Sequence, residues 1–319
     1  MSLARWIARA AVALATGFAL AAAQAAGPMA KTQPPGWYRL MLGDFEVTAL
    51  FDGAIDAEPT KLLTRTTPAQ VTKLLARAYE KEPIPMSVNA YLVNTGAKLV
   101  LIDAGTGTLF GPALGSVVSN LKAAGYQPEQ VDEIYITHLH VDHIGGLAAE
   151  GKTVFPNAVV RADQHDADFW LAPANAEKAP PEMKDFFKGA VASIKPYVDA
   201  GRFKPFEGDT PLVDGVRAVA AHGHTPGHSV YVVESKGQKL VLWGDLMHVA
   251  AVQFIIPDVT IAFDVDPKAA AVQRKKAYAQ AAKEGYLVGS AHLPFPGLGR
   301  LRAEGKGYAF VPVDYMPVK

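Results

Sequence analysis

Residues 137–146 read Thr-His-Leu-His-Val-Asp-His-Ile-Gly-Gly, so four side chains able to ligate a metal, His138, His140, Asp142 and His143, fall within six positions. The run directly follows an apolar, strand-like segment, residues 131–137. A fold that carries it must present these groups from the end of a rigid element into a cleft. At this spacing imidazole and carboxylate can serve two ions at once, His138 and His140 turning toward one, Asp142 and His143 toward the other.

Strand and helix signals alternate in two halves around this run. In the first, residues 38–42, 45–51, 88–93 and 99–102 are short alternating or β-branched runs separated by Gly and Asn turns. Residues 112–124, bounded by Pro and by Gly125, predict a helix. In the second, 216–220, 229–233 and 239–243 predict strands, 267–283 an amphipathic helix stopped at Gly285, and 286–290 a further strand. The chain ends in strand-like residues 308–313. The pattern by itself gives a mixed α/β chain.

Half of the 319 residues are hydrophobic, enough for one large core, and no Ser-, Gly- or charge-rich linker divides the sequence. One domain over 26–319 is expected. Formal net charge is zero, which argues against a nucleic-acid partner, since phosphate binding needs a clustered positive field. Arg5 and Arg9, the apolar stretch 10–23 and the small residues Ala23-Gln24-Ala25 predict a secretory signal peptide over 1–25, cleaved after Ala25. Its apolar core is shorter than the roughly 20 residues of a spanning helix. A periplasmic or secreted protein with no membrane partner after cleavage is therefore expected. Cysteine is absent, so folding uses no disulfide and no thiolate can bind a metal.

The His138, His140, Asp142, His143 pattern resembles that of the metallo-β-lactamase superfamily. Further motifs carry the same resemblance: Ala221-His222-Gly223-His224-Thr225-Pro226-Gly227-His228, Trp243-Gly244-Asp245 and Ser290-Ala291-His292. Over residues 37–313, and in the stretches 126–137 and 302–308, the chain resembles methyl parathion hydrolases and related lactonases more narrowly. The resemblance implies an αββα sandwich and two divalent metal ions, zinc by default. His138, His140 and His224 would hold one ion and Asp142, His143 and His292 the other, with Asp245 and a hydroxide between them. It also implies that Asp103 supports a metal-bound imidazole, and that the chain forms a homodimer. His228, beside His224, is expected to orient ligands by hydrogen bonding.

Two such ions acidify a shared water and polarise an electrophilic oxygen, which is hydrolytic chemistry needing no serine or cysteine nucleophile. His248, three residues past Asp245, falls where related lactonases carry a tyrosine and methyl parathion hydrolases an aliphatic residue. Phe110, Trp170, Phe186 and Phe187 match an aromatic leaving-group cage in that resemblance, although the adjacent Phe186 and Phe187 cannot both face one cleft; Ile261 and Phe263 lie on the following loop, with Leu62 or Leu63 at the entrance. Flat, uncharged substrates are expected: lactones or aryl esters of the dihydrocoumarin kind, with phosphotriesters as a side activity. Two other readings stand beside this one: a phosphotriesterase, and a non-catalytic periplasmic metal-binding protein.

Overall fold

The structure is a computed structural model that describes residue 27 and residues 29–318; the expected signal peptide, 1–25, lies outside the described residues. The unit Pro35–Lys319 carries the fold.

Two mixed sheets form its middle. The first runs, in order, β1 (Trp37–Leu42), β2 (Phe45–Ala57), β3 (Ile84–Asn94), β4 (Leu99–Ile102), β5 (Glu133–Tyr135) and β6 (Val159–Arg161). Its first three pairings are antiparallel, and β4, β5 and β6 are parallel. The second runs β7 (Thr210–Val213), β8 (Val216–Ala220), β9 (Ser229–Ser235), β10 (Gln238–Leu242), β11 (Leu287–Gly289), β12 (Leu298–Glu304) and β13 (Gly307–Pro312). Here only β10 and β11 pair in parallel.

Strand periodicity explains how one chain fills three apolar layers. In β4, Val100 and Ile102 face the inter-sheet core, where Val47, Tyr91, Tyr231 and Leu242 meet them. Leu99 and Leu101 face the opposite way, onto helices α1 (Val117–Ala123) and α2 (Lys184–Asp199) through Leu121, Ile194 and Tyr197. The second sheet alternates likewise: Tyr231 and Val233 point inward, while Val230 and Val232 pack outward with Trp243 and with Tyr278 and Ala281 of α3 (Pro267–Glu284). Both faces of each sheet are covered, giving helix, sheet, sheet, helix. Each fully buried aliphatic side chain here contributes about 1.5–3 kcal/mol.

Local chemistry sets the boundaries. Asp266 caps α3 by accepting from the Lys268 and Ala269 N–H groups, Pro267 opens it, and Gly285 ends it at φ +70°. The helix expected over 112–124 begins only at Val117. Gly115 sits at φ +84°, where a Cβ would strike Gly107 O, and the buried Asp52 carboxylate accepts from Gly115 N and Val117 N, which fixes the non-helical approach. The strand expected over 45–51 continues to Ala57 through a bulge at Asp52. Among the described residues no helix is long and apolar enough to cross a membrane.

Candidate metal centre and cavity

All the ligating groups expected from sequence leave the carboxyl ends of strands at one edge of the sandwich. His138 follows β5, His224 follows β8, Asp245 follows β10 and His292 follows β11. His140 precedes the short helix Val141–Ile144, which carries Asp142 and His143. The turn after β10 needs Gly244, at φ +52°, because a Cβ there would lie 2.8 Å from Thr137 Cβ and 2.9 Å from His228 Nε2.

The structure brings all seven together. His140 Nδ1 lies 2.9 Å from His138 Nε2 and 3.1 Å from His224 Nε2. Asp245 Oδ2 lies 3.5 Å from His138 Nε2 and 3.3 Å from His224 Nε2. On the other side Asp142 Oδ2 is 3.4 Å from His143 Nε2 and 3.5 Å from His292 Nε2. Asp245 reaches this group too, Oδ1 standing 3.2 Å from His143 Nε2 and Oδ2 3.2 Å from His292 Nε2. Such gaps match neighbouring ligands about 2.1 Å from a common ion. His143 Nε2 and Asp245 Oδ1 are buried without a hydrogen-bond partner, so the donors present fit a pair of divalent ions sharing Asp245.

The ring nitrogens facing away from the centre are mostly anchored, which fixes ring orientation and tautomer. Asp103 Oδ2 takes His143 Nδ1 at 2.8 Å, and Ser87 O accepts from His292 Nδ1 at 2.8 Å. Asp103 is held at φ +59°, and its carboxylate also accepts from Thr137 N and Oγ1. This strained backbone is secured by strand pairing, Asp103 N donating to Tyr135 O. Asp264 Oδ1 takes His224 Nδ1 at 2.8 Å, while Asp264 Oδ2 accepts from Ile261 N. Sequence reading did not single out Asp264: no motif spacing marks one acid among the four residues Phe263-Asp264-Val265-Asp266. Asp166 was missed as well; its carboxylate accepts from Leu139 N and Gly227 N and so ties two ligand loops together.

Charge balance suits cation binding. Burial, followed by the charges of neighbouring histidines, holds His138 and His140 well below the usual imidazole range, so they stand as neutral donors. For His143, burial is outweighed by the carboxylates of Asp245, Asp142 and Asp103, and the pKa is raised. His224 is likewise carried up to about 9, burial being overcome by Asp245 and Asp264. Asp245 is driven well below the carboxylate range, burial being overcome by His143, His292 and His248. These protons are the ones that cations would displace.

His228 accepts from Asp245 N at its Nε2, 3.0 Å away, and its Nδ1 donates to Ala221 O at 3.3 Å. Burial drives its pKa down to about 3. His248 Nε2 lies 3.0 Å from Asp245 Oδ2, its ring stacks on His292 at 5.0 Å, and its Nδ1 has no partner. Gln253 Oε1, buried, accepts from both His248 N and Val249 N.

A cavity of about 320 Å³ opens over the centre. His140, Asp142, Asp245, His248 and His292 line it on the side of the centre, Ile55, Leu62, Met86, Phe110, Phe186 and Phe263 supply apolar walls, and Asp56, Glu58 and Lys61 add charged groups. Three expected wall residues are elsewhere. Trp170 is fully buried behind His140, its ring 5.1 Å away edge-on. Phe187 packs on Trp170 in the helix layer; it is Phe186, one residue earlier and turned by a helical step of about 100°, that faces the cavity. Ile261 is buried in the cluster beneath, with Leu63 and Val259, since the two-residue pairing with Leu63 turns it inward.

This is the centre of a metallo-hydrolase in fold and donor set, and residues 83–311 match the metallo-β-lactamase superfamily, to which the chain belongs. Among solved structures it is similar to the hydrolase AbOPH of the β-lactamase superfamily, at 40% identity and TM-score 0.85 over 90% of this chain and 100% of that one. It is also similar to AidC, a dizinc quorum-quenching lactonase in complex with a product, N-hexanoyl-L-homoserine, at 28% identity and TM-score 0.82 over 88% of this chain and 99% of that one. The N-acyl homoserine lactonase of Bacillus cereus is 31% identical over 126 residues, 40% of this chain and 42% of that protein, so the chain spans less than half the length of the curated relative.

Proposed function

We propose that this chain is a binuclear metal-dependent hydrolase of uncharged lactones and aryl esters, with phosphotriester hydrolysis as a weaker side activity. The observation that carries the reading is the cavity wall: His248 beside the donor cluster and bulky Phe263 with Phe110 and Phe186 opposite. Aromatic walls favour a flat apolar body over a tetrahedral dialkyl phosphate. When bound, the two ions, zinc by default, supply an acidified water as nucleophile and Lewis-acid polarisation of the scissile carbonyl.

The chain's own residues do the rest. His138, His140, His224, Asp142, His143, His292 and the shared Asp245 hold the ions. Asp103 and Asp264 hold two of the imidazoles, and His228 holds the Asp245 backbone. His248, neutral because burial brings its pKa down to about 4, has a single ring N–H, which rests on Asp245 Oδ2 at 3.0 Å; it would pass to the carbonyl or leaving-group oxygen once the ions engage that carboxylate. Similarity to AidC supports lactones as the ester class, and the narrower resemblance to methyl parathion hydrolases and dihydrocoumarin-type lactonases supports aryl substrates. The same proposal takes the mature protein to begin after Ala25, outside the cytoplasm, as a homodimer.

Comparing kcat/KM for an aryl lactone, an acyl homoserine lactone and a dialkyl aryl phosphotriester tests the substrate class. A lactone is expected to lead; a clear lead for the phosphotriester establishes the phosphotriesterase reading instead. His248→Leu is expected to move the ratio toward the phosphotriester, and an unchanged ratio removes His248 from the substrate contact. Bound metal without hydrolysis of any ester would identify a binding protein.

A further inference from the structure

A second cluster of ligating side chains lies outside the catalytic centre. Asp163, His165 and His222 offer one donor atom each, all within 4.8 Å of one another, although 57 residues separate the two histidines. Asp163 Oδ1 is 2.7 Å from His165 Nδ1, Asp163 Oδ2 is 3.4 Å from His222 Nε2, and the two rings approach to 4.9 Å. The Asp163 side chain is wholly buried, whereas His165 is 58% and His222 33% exposed. The acid is therefore rigid and solvent reaches the imidazoles.

Backbone contacts set the acid in place. Asp163 Oδ1 accepts from His165 N at 2.8 Å and Oδ2 from Gly208 N at 3.0 Å, which leaves lone pairs on both oxygens toward the histidines. Two imidazoles and an anchored carboxylate, with open positions toward water, form a three-ligand set for a borderline divalent ion such as zinc. The 3.4 Å gap is already that between ligands of one tetrahedral ion, and the 2.7 Å gap opens by a small rotation of the exposed His165.

We propose that Asp163, His165 and His222 bind one additional divalent transition-metal ion per chain, separate from the catalytic pair. The ion clips the loop 222–228, which carries His224, to the turn that begins at Asp163. Asp166 braces the same two segments from below through Gly227 N. Imidazoles are poor ligands for hard ions, so magnesium does not substitute.

The test uses the full-length mature protein already holding its tightly bound metal, titrated with Zn²⁺ by calorimetry and followed by thermal unfolding. One additional ion per chain and a rise in Tm are expected for the wild type, with no uptake of Mg²⁺. His165→Asn and His222→Asn are each expected to lose the additional ion and the Tm response. His165→Asn is expected to keep lactone turnover unchanged, so this result is read independently of the substrate assignment. A wild type that takes up no further Zn²⁺, or a His165→Asn variant that titrates like it, overturns the proposal.

Discussion

At the residue scale the centre depends on groups that never face the ions. Asp264 fixes the His224 ring at 2.8 Å, so Asp264→Ala frees that imidazole and leaves its Nδ1 without an acceptor. Metal affinity or turnover is expected to fall about 10–100-fold, measured by chelator competition and by kcat/KM. His228 sets a pH dependence. Both its nitrogens are engaged, Nε2 by an N–H donor, so the folded state refuses a second proton that the unfolded chain accepts below about 6.5. Its pKa is lowered on folding, so its contribution is present above pH 6.5 and lost as pH falls toward about 3. In the metal-free protein, denaturant unfolding between pH 6.5 and 4 is expected to lose up to about 1.4 kcal/mol per pH unit from this residue. His228→Gln is expected to lack that part of the slope, and an equal slope in both proteins would contradict the assignment. The ligand motifs were legible in sequence because metal chemistry demands fixed residue types at short spacings. Asp264, Asp166 and Gln253 were not, because an acceptor that reaches its target across the fold leaves no local spacing.

At the scale of elements, strand ends and their turns place the donors. Gly244→Ala puts a Cβ into Thr137 and His228 at a left-handed φ, and is expected to cost more than about 1 kcal/mol by denaturant titration while displacing the adjacent Asp245. Helix Pro267–Glu284 was readable almost to the residue, since its Asp cap, leading Pro and closing Gly are all local signals. The helix starting at Val117 was misjudged by five residues because Asp52, 65 positions away, competes for its first N–H. Phe110 and Phe263 do line the cavity, whereas Phe187 does not, for a related reason. Phe186 and Phe187 are equivalent in hydropathy, and only the rotation of their helix about its axis decides which one meets the cavity.

At the scale of the whole molecule, two sheets covered on both faces hold the rim rigid, and seven donors converge there from four loops. Sequence alternation showed the strands and their two halves, but not the order of the second sheet, where β11 pairs with β10 after a helix and β12 folds back beside it. Binding energy at the rim couples to the fold: stripping the tightly bound ions with a chelator is expected to abolish turnover and lower Tm, and restoring zinc to recover both. The most direct measurement is elemental analysis of desalted, active protein alongside a metal titration of the stripped form. Two divalent ions per chain, with lactone hydrolysis rising to its maximum only as the second is restored, is the expected result. One ion or fewer per chain at full activity, with turnover indifferent to further metal, would contradict the binuclear centre.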